Sequence, residues 1–195
     1  MPNGSGYRTP QSKAFHTLLC GAAFAPNLPD FNLANRKLMS FLAAAQQVSE
    51  PEFILEVPGE AEVAGKTGNH STHVLDSITL PFKEDIPQDV ARPKAFMILT
   101  AITDFIKRRI ADGKFTDDQY MDILSRDNDH GFTPVIEGVI SKNMMVLEFL
   151  ASEFKRVSPA RYSQALVFNK NGFSPLIEAM ITAAKKSGKD SNKFA

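Results

Sequence analysis

The sequence predicts an all-α protein, a short α-solenoid of helix pairs interrupted by one irregular insertion. Two stretches carry that expectation. The first is Asp127 to Leu150, DNDHGFTPVIEGVISKNMMVLEFL. Gly131 supplies the backbone freedom of a tight turn, Thr133 has the oxygen of an N-cap, and Pro134 takes the first helical position, where its missing N–H costs nothing. Val135, Ile136, Val139 and Ile140 recur at helical spacing, Lys142 and Asn143 interrupt the apolar run, and Met144, Val146, Leu147, Phe149 and Leu150 begin a second apolar face. The second stretch is Asn171 to Ile181, NGFSPLIEAMI, which repeats Asp129 to Ile140 with Gly172, Ser174, Pro175, Leu176 and Ala179 in the same roles. Self-similarity at a fixed spacing is the signature of stacked repeats.

From the N-terminus, residues 1–8 are rich in Gly, Ser and Asn and are expected to be disordered. Thr9 and Pro10 then repeat the helix-start dipeptide, Ala14 stands where Gly138 and Ala179 stand, and Phe15, Leu18, Leu19, Ala22 and Ala23 complete a helical stripe that ends before Pro26. Pro26, Asn27, Pro29 and Asp30 read as a turn-rich connection. The next helix, NRKLMSFLA at Asn35 to Ala43, aligns with NMMVLEFLA at Asn143 to Ala151 through the Asn, the Phe, the Leu and the Ala. Residues 54–71 are the least regular part, with Gly59, Gly65 and Gly68 breaking any long helix, and a mobile loop or small hairpin is expected there. Thr72 to Ile78, THVLDSI, matches TPVIEGV with His73 in place of the Pro. After a connection bounded by Pro81, Pro87 and Pro93, Lys94 to Ile110 reads as an amphipathic helix with Phe96, Ile98, Leu99, Ile102, Phe105, Ile106 and Ile110 on or near one face.

Three segments, SEPEF at Ser49 to Phe53, TDDQY at Thr116 to Tyr120 and SPARY at Ser158 to Tyr162, share a hydroxyl residue followed four positions later by an aromatic. Each reads as an extra short helix with Ser49, Thr116 or Ser158 as its N-cap. The repeat domain, residues 9–186, then divides into units of about 9–53, 70–120, 127–162 and 169–186, with a flexible tail at 187–195. The last unit lacks most of a second helix, so it is expected either to cap the stack or to be the truncated start of a longer array.

With Gly131, Thr133, Pro134, Val135 and Gly138 in its first helix and Val146, Phe149 and Leu150 in its second, the central stretch resembles an ankyrin repeat, G-x-T-P-L-x-x-A followed by V-x-x-L-L. Two positions depart from that pattern: Ile136 stands for the family's His and Lys142 for its mid-repeat Gly. Gly131 and Gly172 are 41 residues apart, against about 33 for an ordinary ankyrin repeat, and the extra short helix accounts for the difference. The resemblance implies a non-enzymatic module that binds a protein through its turn tips and inner helix face. In this register the partner-binding positions are Asp129, His130 and Phe132 in the third unit and Lys170, Asn171 and Phe173 in the fourth. Exposed aromatics are frequent interface anchors; the alternative is that both rings tuck under the neighbouring turn. In style the helices also resemble irregular ankyrin-like repeats of bacterial effectors, which implies a cytoplasmic protein or one delivered into a host cell.

Composition narrows the classes further. Lys plus Arg and Asp plus Glu are 22 each, so no global field favours nucleic acid or an anionic membrane. No apolar run reaches the roughly 18 to 20 residues of a spanning helix, and the start of the chain has no secretory h-region. Membrane and nucleic acid are therefore not expected partners, and the 43% hydrophobic content is that of a chain able to build a sizeable core. The single cysteine, Cys20, lies in the apolar run TLLCGAAF, where a buried, inert thiol is expected.

The motifs that could carry chemistry are weak. His70, His73 and Asp76 have metal-type spacing, but three groups fall short of a four-ligand structural zinc site and the only thiol is some fifty residues upstream. DNDHG at Asp127 to Gly131 starts like a calcium loop, yet Gly138 occupies the place of the bidentate Glu. GKT at Gly65 to Thr67 lacks the earlier Gly of a phosphate loop, since Glu60 stands there. The basic run Lys107, Arg108, Arg109 sits where positive charge complements a helix C-terminus. No cofactor and no metal are expected. The competing reading is an enzyme or metal-binding protein with its site in the insertion 54–93, among His70, His73, Asp76 and Glu84.

Overall fold

Thr133 and Asn143 set the pattern of the fold, because each side-chain oxygen accepts from a backbone N–H in the first turn of a helix. Thr133 Oγ1 accepts from Ile136 N at 3.3 Å and Asn143 Oδ1 from Val146 N at 3.4 Å. A computed structural model of the protein describes residues 10–47, 72–82, 86–127 and 131–158, the backbone of 62–63 and 66–67, and positions 160 and 174. Its elements are α1 (Pro10–Ala23), α2 (Leu28–Ala45), a two-residue antiparallel pair β1 (Glu62–Val63) and β2 (Lys66–Thr67), α3 (His73–Thr79) with a single 3-10 turn at Leu80–Phe82, α4 (Gln88–Ala111), α5 (Asp117–Ser125), α6 (Pro134–Ile140) and α7 (Met144–Val157). Among the described residues the protein is helical apart from that small hairpin, which lies inside the predicted irregular stretch.

The helices pack as pairs, α1 on α2, α3 on α4 and α6 on α7. Along the chain the first members touch in order, α1 to α3 and α3 to α6, and so do the second members, α2 to α4 and α4 to α7. Two rows of helices result, and α5 packs against α6 and α7. One continuous core runs through the rows, from Phe15, Leu19, Phe31, Leu38 and Leu42 through Ile78, Ile98, Ile102 and Phe105 to Val146, Leu150 and Phe154. The alignment of 35–43 with 143–151 survives as a packing register: Leu38 and Val146 are both buried, Leu42 and Leu150 are both buried, and Phe41 and Phe149 are both partly buried.

Several expectations are corrected. The connection around Pro29 is part of α2: Asn27 is the cap, its Oδ1 accepts from Asp30 N at 2.9 Å, and Pro29 lies in the first turn, where proline is tolerated. Asn35 is therefore a mid-helix residue. Helix α4 likewise begins at Gln88 and runs through Pro93. Ala14 is exposed, unlike its proposed counterpart Gly138, because the inner face of α1 is formed by Ser12, Phe15, His16, Leu19 and Cys20. Arg109 lies in the last turn of α4, as expected, and is also buried, its Nη1 donating to Gln46 O at the end of α2 at 2.8 Å.

Other local readings hold. Thr72 caps α3 through Leu75 N at 3.2 Å, and Thr116 with Gln119 forms a reciprocal capping box at the start of α5. Tyr120 is buried as the aromatic anchor of that helix. Ser158 closes α7; apart from positions 160 and 174, the helix expected to follow it, the fourth unit and the segment around Ser49 lie outside the described residues.

Candidate functional site

The turn before α6 is the described part of the predicted partner-binding edge. Gly131 is buried with φ 77, a conformation that glycine adopts without steric cost, and Phe132 beside it is half-buried. Asp129, His130, Lys170, Asn171 and Phe173 lie outside the described residues. At the far end of α6, Ile140, Met144 and Met145 are exposed around the turn into α7. That turn is tight: Lys142 has φ 53, and a Cβ built on Gly138 would meet Leu147 Cδ2 at 2.8 Å. Lys142 thus occupies a left-handed position that glycine fills at lower cost. Asn143 has a second role here, since its Nδ2 donates to Arg92 O of α4 at 2.9 Å and ties neighbouring helix pairs together.

A second constellation is buried where α1 meets α3. His16 and Cys20 are one turn apart on α1, and His73 and Asp76 lie in the first turn of α3, placed there by the Thr72 cap. All four are buried. The Cys20 Sγ is 3.2 Å from His16 Nε2, and the other ring nitrogen, Nδ1, faces Asp76 Oδ2 at 3.7 Å. The His73 ring lies 5.8 Å from that of His16, centroid to centroid, and stands edge-on to Phe15 at 4.7 Å. One ligand-type atom each from His16, His73 and Asp76 can be chosen so that all lie within 4.8 Å of one another. Burial pushes the His16 imidazole down to about 4, so at neutral pH the ring carries no charge and retains a lone pair.

The order Cys20, His16, Asp76 is also that of a nucleophile, a base and an orienting acid. Cys20 is 3% exposed, however, and the Nδ1 to Oδ2 separation of 3.7 Å exceeds hydrogen-bond range. A nucleophile must meet its substrate, and this thiol is enclosed by the core of the first two helix pairs. Sequence reasoning found His73 and Asp76 but passed over His16. Its only local signal was a histidine on the apolar face of a predicted helix, one turn before a cysteine. His70, the third member of the sequence cluster, lies outside the described residues.

A third polar group is assembled from three helices. Glu153 of α7 accepts from Lys107 Nζ of α4 at 3.0 Å, from Tyr120 Oη of α5 at 2.9 Å and from Arg156 of its own helix at 3.0 Å. Burial raises the Glu153 pKa, but the hydrogen bonds from Lys107, Arg156 and Tyr120 outweigh it and hold the carboxyl below its ordinary value of 4.5. Burial, reinforced by the Glu153 charge, raises the Tyr120 phenol. Lys94, also buried, donates to Ala25 O at 2.5 Å, and desolvation lowers its pKa to about 8.

No family model, curated protein or solved structure matches the chain. Among the described residues no helix is long and apolar enough to cross a membrane.

Proposed function

We propose that the chain is a non-enzymatic binding module, a short stack of divergent ankyrin-like helix pairs that holds a protein partner along its turn edge and inner helix face. The supporting observation is the two rows of helices, α1 to α3 to α6 and α2 to α4 to α7. A stack of that kind sets successive turns side by side and builds an extended surface without a catalytic cleft. Local chemistry agrees: Thr133 and Pro134 start α6 as the repeat pattern requires, and the positive φ of Lys142 falls where ankyrin repeats carry glycine. In this reading Phe132 and Phe173 are apolar anchors, flanked by the polar residues Asp129, His130, Lys170 and Asn171, and they receive an apolar side chain of the partner. The address that goes with such a partner is the cytoplasm, the cell's own or that of a host.

Immobilised full-length chain is used to capture partners from a cell lysate, and the Kd of the captured protein is then measured by titration. The double change Phe132→Ala with Phe173→Ala is expected to leave the melting temperature within a few degrees and to weaken binding at least tenfold, about 1.4 kcal/mol. A folded double variant that binds with unchanged Kd removes the turn edge as the recognition surface. A double variant that unfolds shows that the rings belong to the core.

A further inference from the structure

The polar group between α1 and α3 has a donor set that the binding role does not use. We infer that His16, His73 and Asp76 form a site for a single divalent transition-metal ion, zinc by its donor chemistry, with Cys20 as the outer partner that fixes the His16 ring. Two imidazoles and a carboxylate are the nitrogen and oxygen donors that zinc takes, and three protein ligands leave one coordination position for a water molecule.

The distances are close to those needed. Ligands at about 2.0 to 2.1 Å from a tetrahedral ion stand roughly 3.3 Å from one another. His16 Nδ1 and Asp76 Oδ2 are at 3.7 Å, and the widest separation in the set is 4.8 Å. A ligand triangle of that size requires the widest gap to close by up to about 1.5 Å. His16 coordinates through Nδ1, the nitrogen on the Asp76 side. Its Nε2 then carries the proton and donates to Cys20 Sγ, already 3.2 Å away, which is the outer hydrogen bond that orients most metal-bound histidines. Burial supports the assignment: these side chains are at most 3% exposed, and the Phe15 ring stands edge-on to His73.

The ion would join the first helix of one pair to the first helix of the next, across 57 residues of chain from His16 to His73. With the three protein ligands and a bound water filling its four positions, the ion's binding free energy adds to folding free energy. It would hold the N-terminal end of the stack together while the turn edge near α6 remains available.

The test uses full-length protein stripped with EDTA, titrated with zinc sulfate and, separately, with cobalt(II). One zinc per chain and a melting temperature raised by several degrees are expected. Cobalt(II) should give visible d–d bands without a sulfur-to-cobalt charge-transfer band in the near ultraviolet. Asp76→Asn and His16→Asn, each checked for native helicity by circular dichroism, should each weaken zinc binding at least tenfold; Cys20→Ser should weaken it less. A wild-type chain that takes up less than a tenth of an equivalent of zinc overturns the site. So does stoichiometric binding that both Asn variants retain, since the zinc then lies elsewhere. A sulfur-to-cobalt band overturns the outer placement of Cys20. Should either Asn variant fail to fold, the wild-type stoichiometry and cobalt spectrum still decide.

Discussion

The carboxylates of Glu153 and Asp76 are both buried between helices, yet their surroundings are opposite in kind. Glu153 is met by the protein's own cations and a phenol: Lys107 and Arg156 reach it from side chains 32% and 51% exposed, and Tyr120 from the core. Asp76 faces the imidazole of His16, which burial keeps uncharged, and shares its region with His73 and Cys20. In the first arrangement basic side chains from α4 and α7 meet the carboxylate while remaining partly exposed. The second gathers short side chains that carry lone pairs, the chemistry of a ligand shell. Helices can thus be joined either by internal ion pairing or by donors that suit an external ion.

The largest expected effect tests the self-contained cluster. Glu153→Ala takes the carboxylate acceptor from the fully buried Tyr120 hydroxyl and leaves Lys107 only Asp104 as an ion-pair partner, and should cost about 3 kcal/mol in urea or thermal unfolding. A loss below about 0.5 kcal/mol would show that this cluster is ornamental to stability.

The acid limb of stability sharpens the same contrast. The Glu153 pKa is lowered on folding, so its contribution is fully present above its ordinary 4.5 and is lost as pH falls from there through the folded value. Unfolding measured from pH 6 to pH 3 should lose stability in that window, and more steeply in the wild type than in Glu153→Gln. Equal acid limbs would place the responsible carboxylate elsewhere.

The smallest effect lies in the α6–α7 turn, remote in sequence from the α1–α3 cluster. Lys142→Gly relieves a left-handed backbone at φ 53 and should stabilise by about 0.5 to 1 kcal/mol, leaving the pH dependence from Glu153 and any zinc response unchanged. A destabilising outcome would mean that the Lys142 side chain matters more than its backbone.

Helix starts were legible because their causes are local. Thr72, Thr116 and Thr133 each reach a backbone N–H three residues on, and that reach is written in adjacent letters. The inward faces of α4 and α7 followed from spacing apart from Met144, which is exposed, down to the matching burial of Leu38 with Val146 and Leu42 with Leu150. The starts of α2 and α4 were misplaced because Pro29 and Pro93 were read as breakers; α2 tolerates its proline in the first turn, and α4 runs through Pro93 with its packing on α3 and α2 intact.

What the sequence by itself determined, then, was helical class, pairing of neighbours and the caps at Thr116 and Thr133, since these depend on contacts a few residues apart. Only the tertiary structure decided that His16 and Cys20 should meet His73 and Asp76, that Arg109 should turn inward to Gln46, and that Glu153 should gather groups from α4, α5 and α7. The reason is physical. Side chains tens of residues apart have no fixed distance until the helices carrying them pack, and the apolar faces that drive that packing say nothing about which polar groups will be enclosed with them.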